Sequence, residues 1–178
     1  MNPQSLQLQI SLLDESLTIH GQYIFDAFAN PVISTDDSSG RYDAFTTFIE
    51  GEDKYTYLLV DEVGYVVHST GNTTTSVATQ DVSCLSSVES LSSIVSSLNS
   101  AIVGLTSSSS YELLDCNDEA MIEDSLERVD FQICASGVSG FVVFGGSMLV
   151  RVEYLESPFA KISVPTLTSG EDVCKGIS

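Results

Sequence analysis

"CLSSVESLSSIVSSLNSAIVGLTSSSSYELLDC" occupies residues 84–116, and more than a third of it is serine. Its apolar residues are regularly spaced all the same. Leu85, Val88, Leu91, Ile94, Val95, Leu98, Ile102 and Leu105 recur at intervals of three and four, the stripe of an amphipathic helix with one buried face. Serine competes for backbone hydrogen bonds and is a mediocre helix former, so the stripe needs a partner surface to be stable. Asp81 or Ser83 can cap the start, and Gly104 with the following serines marks the exit. A mucin-like stalk would be rich in proline, yet none occurs between Pro31 and Pro158. The spacing therefore predicts a helix over about 84–105.

On either side of this stretch the period is two. "SLQLQISLL" sets Leu6, Leu8, Ile10 and Leu12 on one face, and after a "DES" turn Leu17, Ile19, Gly21, Tyr23 and Phe25 share another. "RYDAFTTFIE", "KYTYLLV" and "YVVHST" follow, separated by short turns, so successive strands should pair antiparallel. Beyond the helix, "RVDFQICAS", "FVVF", "MLVRVEYLE" and "AKISVP" resume the pattern. The expected fold is a single α+β domain over 1–178, with strands at about 5–70 and 128–165 and a C-terminal tail. About nine strands would form a large curved antiparallel sheet, an open half-barrel with the helix across its concave face.

Composition narrows the function. Twenty-five acidic residues against six basic ones give a net charge of −19. Nucleic-acid binding needs phosphate-neutralising Lys and Arg, and docking on an anionic membrane needs the same, so both are disfavoured. No apolar run approaches the length of a membrane span. "MNPQSLQLQIS" carries neither the basic residues nor the apolar core of a signal peptide, so a secreted protein would be present here as its mature part. Cys84, Cys116, Cys134 and Cys174 form no CxxC, which argues against zinc. Their even number and the glycosylation sequon at Asn72 point to a secreted, disulfide-bonded protein. Three pairings are possible, with Cys84–Cys116 and Cys134–Cys174 favoured.

"GQYIFDAFANPVISTDDSSGRYDAFTTF", followed by "YTYLLVDEVGYVVHST" and a cysteine ahead of the helix, resembles the LolA-like and ependymin-related proteins. The resemblance covers about residues 5–167 and lies in the layout of strands. It implies a curved antiparallel sheet closed by helices, an apolar ligand in the concavity, and in some members calcium.

No catalytic or cofactor motif stands out. "GVSG" around Ser139 joins two strands and lacks the strand-to-helix setting of a nucleophile elbow. "DCNDEAMIEDSLE" from Asp115 starts like a calcium loop but has Ala120 where glycine is required. Acidic pairs Asp36-Asp37 and Asp61-Glu62 read as solvated loops. His20 and His68, with Asp26 or Asp43 to orient them, offer a general base on paper but read better as polar strand positions. The expected protein is a secreted, non-enzymatic binder of a lipid or sterol, without cofactor or metal. Its site would be lined by Leu17, Ile19, Tyr23, Phe25, Tyr57, Leu59, Phe131, Ile133, Met148, Val150 and Val152. The alternative is an extracellular structural or interaction protein, its partner unknown, in which these residues fill a core.

Overall fold

Alternating leucine and polar residues do build the first strand, β1 (Ser5–Leu12), whose even-numbered side chains are all buried. The computed structural model describes residues 4–32, 41–71, 79–85, 122–126, 129–135, 140–145, 147–157, 159, 161–168 and 174, with the backbone alone for 122–126 and 129–135. After β1 come β2 (Ile24–Val32), β3 (Arg41–Glu50), β4 (Asp53–Val60), β5 (Val63–Thr70) and β6 (Thr79–Cys84). The second set is β7 (Ile122–Leu126), β8 (Val129–Ala135), β9 (Gly140–Gly145) and β10 (Met148–Leu155). All ten lie in one sheet, ordered β6-β5-β4-β3-β2-β1-β10-β9-β8-β7, with every neighbouring pair antiparallel. Two meanders thus meet at a β1–β10 seam.

Tight turns hold the first meander in register. Asp61 and Glu62, both at positive φ (50° and 65°), join β4 to β5 in the left-handed geometry that suits the twist of a two-residue hairpin. The Asp43 carboxylate accepts the Asp61 N–H at 3.0 Å and steadies that turn. A different constraint acts at Gly140, opposite Glu153 at the start of β9. A Cβ there would collide with the Val152 carbonyl oxygen and lie 3.1 Å from the Glu153 Cα. Gly140→Ala is therefore expected to cost about 1–3 kcal/mol in urea denaturation, the usual range for forced backbone shifts. An unchanged midpoint would mean that β9 starts later in the chain.

The sheet has two different faces. On one, the core face, Ile10 stands opposite Phe25 and Val150, and Leu8 opposite Ala27 and Val152. Phe48 and Val150 have no exposed surface at all. Each such side chain contributes roughly 1.5–3 kcal/mol by leaving water. The other face carries a smaller cluster, Val60 and Tyr65 with Cys174, against which Leu58, Ile162 and Leu167 pack. Residues 159, 161–168 and 174 therefore belong to a strap on this face, the strap face. Phe159 sits on Phe28 with ring centroids 4.2 Å apart, and Asn30 brackets its backbone N–H and C=O. Further on, Thr168 donates its N–H to the Val82 carbonyl (3.0 Å) and accepts the Val82 N–H on its hydroxyl (2.6 Å). That pairing satisfies part of an edge strand that would otherwise be open to other chains.

Several expectations are corrected. The described residues are all-β, not α+β: their only helical element is the 3-10 turn Glu15–Leu17. Residues 86–105 of the expected helix lie outside the described residues. Its expected start does not hold, because Asp81, Ser83 and Cys84 belong to β6 and pair with His68, Val66 and Tyr65. The described residues form ten strands where about nine were expected, β6 and β7 being the additions. "AKISVP" is no strand, since its described residues belong to the strap. Leu17–Tyr23 is not a strand either but the connection between β1 and β2. Both favoured cysteine pairings give way to Cys84–Cys174. That bond ties the strap to β6, a route that no local pattern announces. Cys116 lies outside the described residues, as does the side chain of Cys134.

Candidate functional site

Small residues interrupt the large ones on the core face. Ala27 pairs with Thr46 and Ala29 with Ala44 across β2 and β3, while Thr46 and Ala44 pair with Tyr57 and Leu59 of β4. The Thr46 hydroxyl donates to the Asp26 carbonyl at 2.7 Å, so its polar atom is already satisfied. Larger side chains frame this floor. Phe25 and Phe48 meet edge-on at one end, 4.9 Å between centroids, and Tyr42 stands at the other. Ala27 and Ala44 keep some exposure, whereas Ala29 and Thr46 are buried. The result is an apolar step in the face, bounded by rings and leucines.

Most of the expected lining set belongs to the core face, though not all of it adjoins this floor. Phe25, Leu59, Val150 and Val152 are buried on the core face, with Tyr57 and Met148 partly buried against the same cluster. Leu17 and Ile19 also pack on it, although they arrive from the β1–β2 connection. Tyr23 does not join: it is 60% exposed. Phe131 and Ile133 stand opposite Gly145 and Val143 in the ladder. Left out of the expected set were Phe48, Ala44 and the β1 leucines. The alternation of β1 was a visible signal for those leucines. Nothing local marked the alanines, whose role depends on cross-strand neighbours.

At the Phe48 end of this face the two histidines flank one tyrosine. His20 stacks on Tyr55 at 4.0 Å and His68 stacks on Tyr55 at 4.5 Å. The His20 Nδ1 lies 3.0 Å from the Glu50 carboxylate, and its Nε2 lies 2.8 Å from the Tyr57 hydroxyl. A carboxylate can only accept, so in the neutral ring Nδ1 carries the proton and Nε2 accepts from Tyr57. This carboxylate–imidazole–hydroxyl order has the logic of a nucleophilic relay. Burial, followed by the neighbouring Tyr55, pushes the Tyr57 phenol above its ordinary value. Tyr57 therefore holds its proton and acts as a donor that fixes the ring. His68 in turn donates to Asp53 at 2.9 Å, and the Thr70 hydroxyl donates to the same oxygen. These two bonds hold the Asp53 carboxyl below its ordinary value, the one from Thr70 contributing more. Glu50 and Asp53 are thus the histidines' partners, in place of the expected Asp26 and Asp43. Only the strand register brings them together.

Other sequence candidates lie elsewhere. Asp61-Glu62 forms the β4–β5 turn. Asn72, Ser139, Asp36-Asp37 and residues 115–121 of the calcium-like segment are outside the described residues. Among the described residues, no group of three or more His, Cys, Asp or Glu could hold a metal ion, and no helix is long and apolar enough to cross a membrane. No family model, curated protein or solved structure matches the chain.

Proposed function

We propose that this protein is a secreted, non-enzymatic binder of an apolar small molecule, a lipid or sterol, held on the core face. The observation that carries the reading is the floor of Ala27, Ala29, Ala44 and Thr46 set among large apolar side chains. Flat or branched hydrocarbon can lie on such a floor without displacing a packed ring, at roughly 0.8 kcal/mol per buried methylene. The Cys84–Cys174 bond supports an oxidising compartment. A broad antiparallel sheet is one part of what a relation to the LolA-like and ependymin-related carriers would require, closing helices being the other.

A second reading is an interaction protein with a filled core. One row of the strap face favours it. Ile24 and Ile49 are 51% and 66% exposed, as is Leu13 at 66%, and the row continues through Leu149 to Phe144. One titration separates the two. A fluorescent fatty acid should bind in a salt-insensitive way, and Ala44→Phe should weaken it by about tenfold or more while shifting the thermal midpoint only slightly. Val150 is a poorer site for this test, because a larger residue at a position with no exposed surface would disturb folding itself. Failure of fatty acids and sterols alike to bind, together with self-association through the exposed row, would favour the second reading.

A further inference from the structure

Residues Leu13–Tyr23 leave the sheet after β1 and return to it at β2, and most of their hydrogen bonds are internal. The Asp14 side chain accepts from the N–H and hydroxyl of Ser16, and Leu17 N–H donates to the Asp14 carbonyl. Ile19 and Gln22 exchange two backbone bonds of 3.0 and 2.9 Å, closing a tight hairpin whose two central residues, His20 and Gly21, have φ of 48° and 70°. Such values suit glycine and cost a histidine conformational energy, so something must hold His20 there.

That something is the sheet. Away from its roots at Leu12, Leu13 and Tyr23, the hairpin is tied to β3 and β4 by three hydrogen bonds and a ring stack. They comprise His20 with Glu50, His20 with Tyr57, the His20 stack on Tyr55, and Gln22 Nε2 donating to the Ile49 carbonyl at 3.3 Å. The hairpin's apolar residues, Leu17 and Ile19, pack on the core cluster to which Phe25 and Phe48 belong. The His20 ring also lies 5.5 Å from that of Phe48, which places the hairpin at the Phe48 end of the face.

We infer that Leu13–Tyr23 is a flap over one end of the core face, and that the His20 clasp sets how often it opens to admit a ligand. The gating half rests on the reading of the core face as a binding surface. The clasp half does not. Opening exchanges a few partly exposed hydrogen bonds and two modest apolar contacts, while the ten-stranded ladder stays intact, and this is how locally unfolding segments are built.

The test uses the full chain and His20→Asn. Asparagine tolerates positive φ, so the turn is kept and only the ring is removed. Glu50→Gln, which weakens one bond of the clasp, is the second variant. Hydrogen exchange at the amides of 15–23 should quicken about tenfold in His20→Asn and less in Glu50→Gln, with β9 and β10 unchanged. Stopped-flow binding of a dansyl-labelled C11 fatty acid should show association and dissociation both faster by similar factors, leaving Kd within about threefold. Unchanged flap exchange in His20→Asn would overturn the clasp. Faster exchange with unchanged probe kinetics would overturn the gating. Absence of probe binding to parent and variants would remove the binding surface and the gating with it, while exchange would still decide the clasp.

Discussion

Phe48→Ala is expected to lower the free energy of unfolding by about 3–5 kcal/mol, the usual cost of emptying a buried phenylalanine site. Phe48 has no exposed surface and meets Phe25 at 4.9 Å, His20 at 5.5 Å and Tyr57 at 5.6 Å. These neighbours come from three separate segments, so they cannot all collapse into the space left behind. Phe144→Ala is the control, because Phe144 is 41% exposed and should cost far less. Urea denaturation of the two variants measures the difference. Equal effects would mean that Phe48 is not the tightly packed side chain its burial indicates.

Breaking the Cys84–Cys174 bond is the second large perturbation. The bond spans 90 residues, for which the chain-entropy model gives about 4.5 kcal/mol of stabilisation, within the roughly 2–5 kcal/mol observed when native disulfides are removed. Cys174→Ser should fall in that range and lower the melting temperature by about 2–4 °C for each kcal/mol lost. Strap residues such as Leu167 should then exchange amide protons faster than β1. Non-reducing peptide mapping should return one cross-linked pair containing Cys84 and Cys174. A Cys84–Cys116 peptide in its place would put the strap elsewhere.

Where alternation was clean the sequence revealed which face is buried. β1 shows this best, and in β10 the charged Arg151 and Glu153 set Val150 and Val152 apart, whereas in β4 the apolar run Leu58-Leu59-Val60 marks neither face. The same rule misled at Leu17–Tyr23. There Leu17, Ile19, Gly21, Tyr23 and Phe25 imitate a strand, but His20-Gly21 takes positive φ and reverses the chain. β6 escaped notice because "TQDVSC" offers only Val82 and Cys84 as apolar residues, both turned toward the strap face. The strap was taken for a strand since Ile162 and Val164 alternate, although Val164 is exposed. Neither the disulfide partner nor the Glu50 and Asp53 partners could be read locally. Each depends on which strands become neighbours, a property of the whole sheet.

The β1–β10 seam has a kinetic consequence. Every other strand pair joins chain neighbours and can zip from a hairpin, on the order of microseconds for an isolated one. The seam joins Ser5 to Leu155 and Leu12 to Met148, contacts whose loop-closure entropy must be met before any stabilisation arrives. Each meander can therefore mature alone, and the two sheets become one when the eight residue pairs of the seam dock, with the strap and its disulfide closing as well. During synthesis β1 emerges well before β10 and can form its pairing with β2 while the seam waits. Until then the edge of β1 that β10 will take is a template that β10 of another nascent chain can also fit.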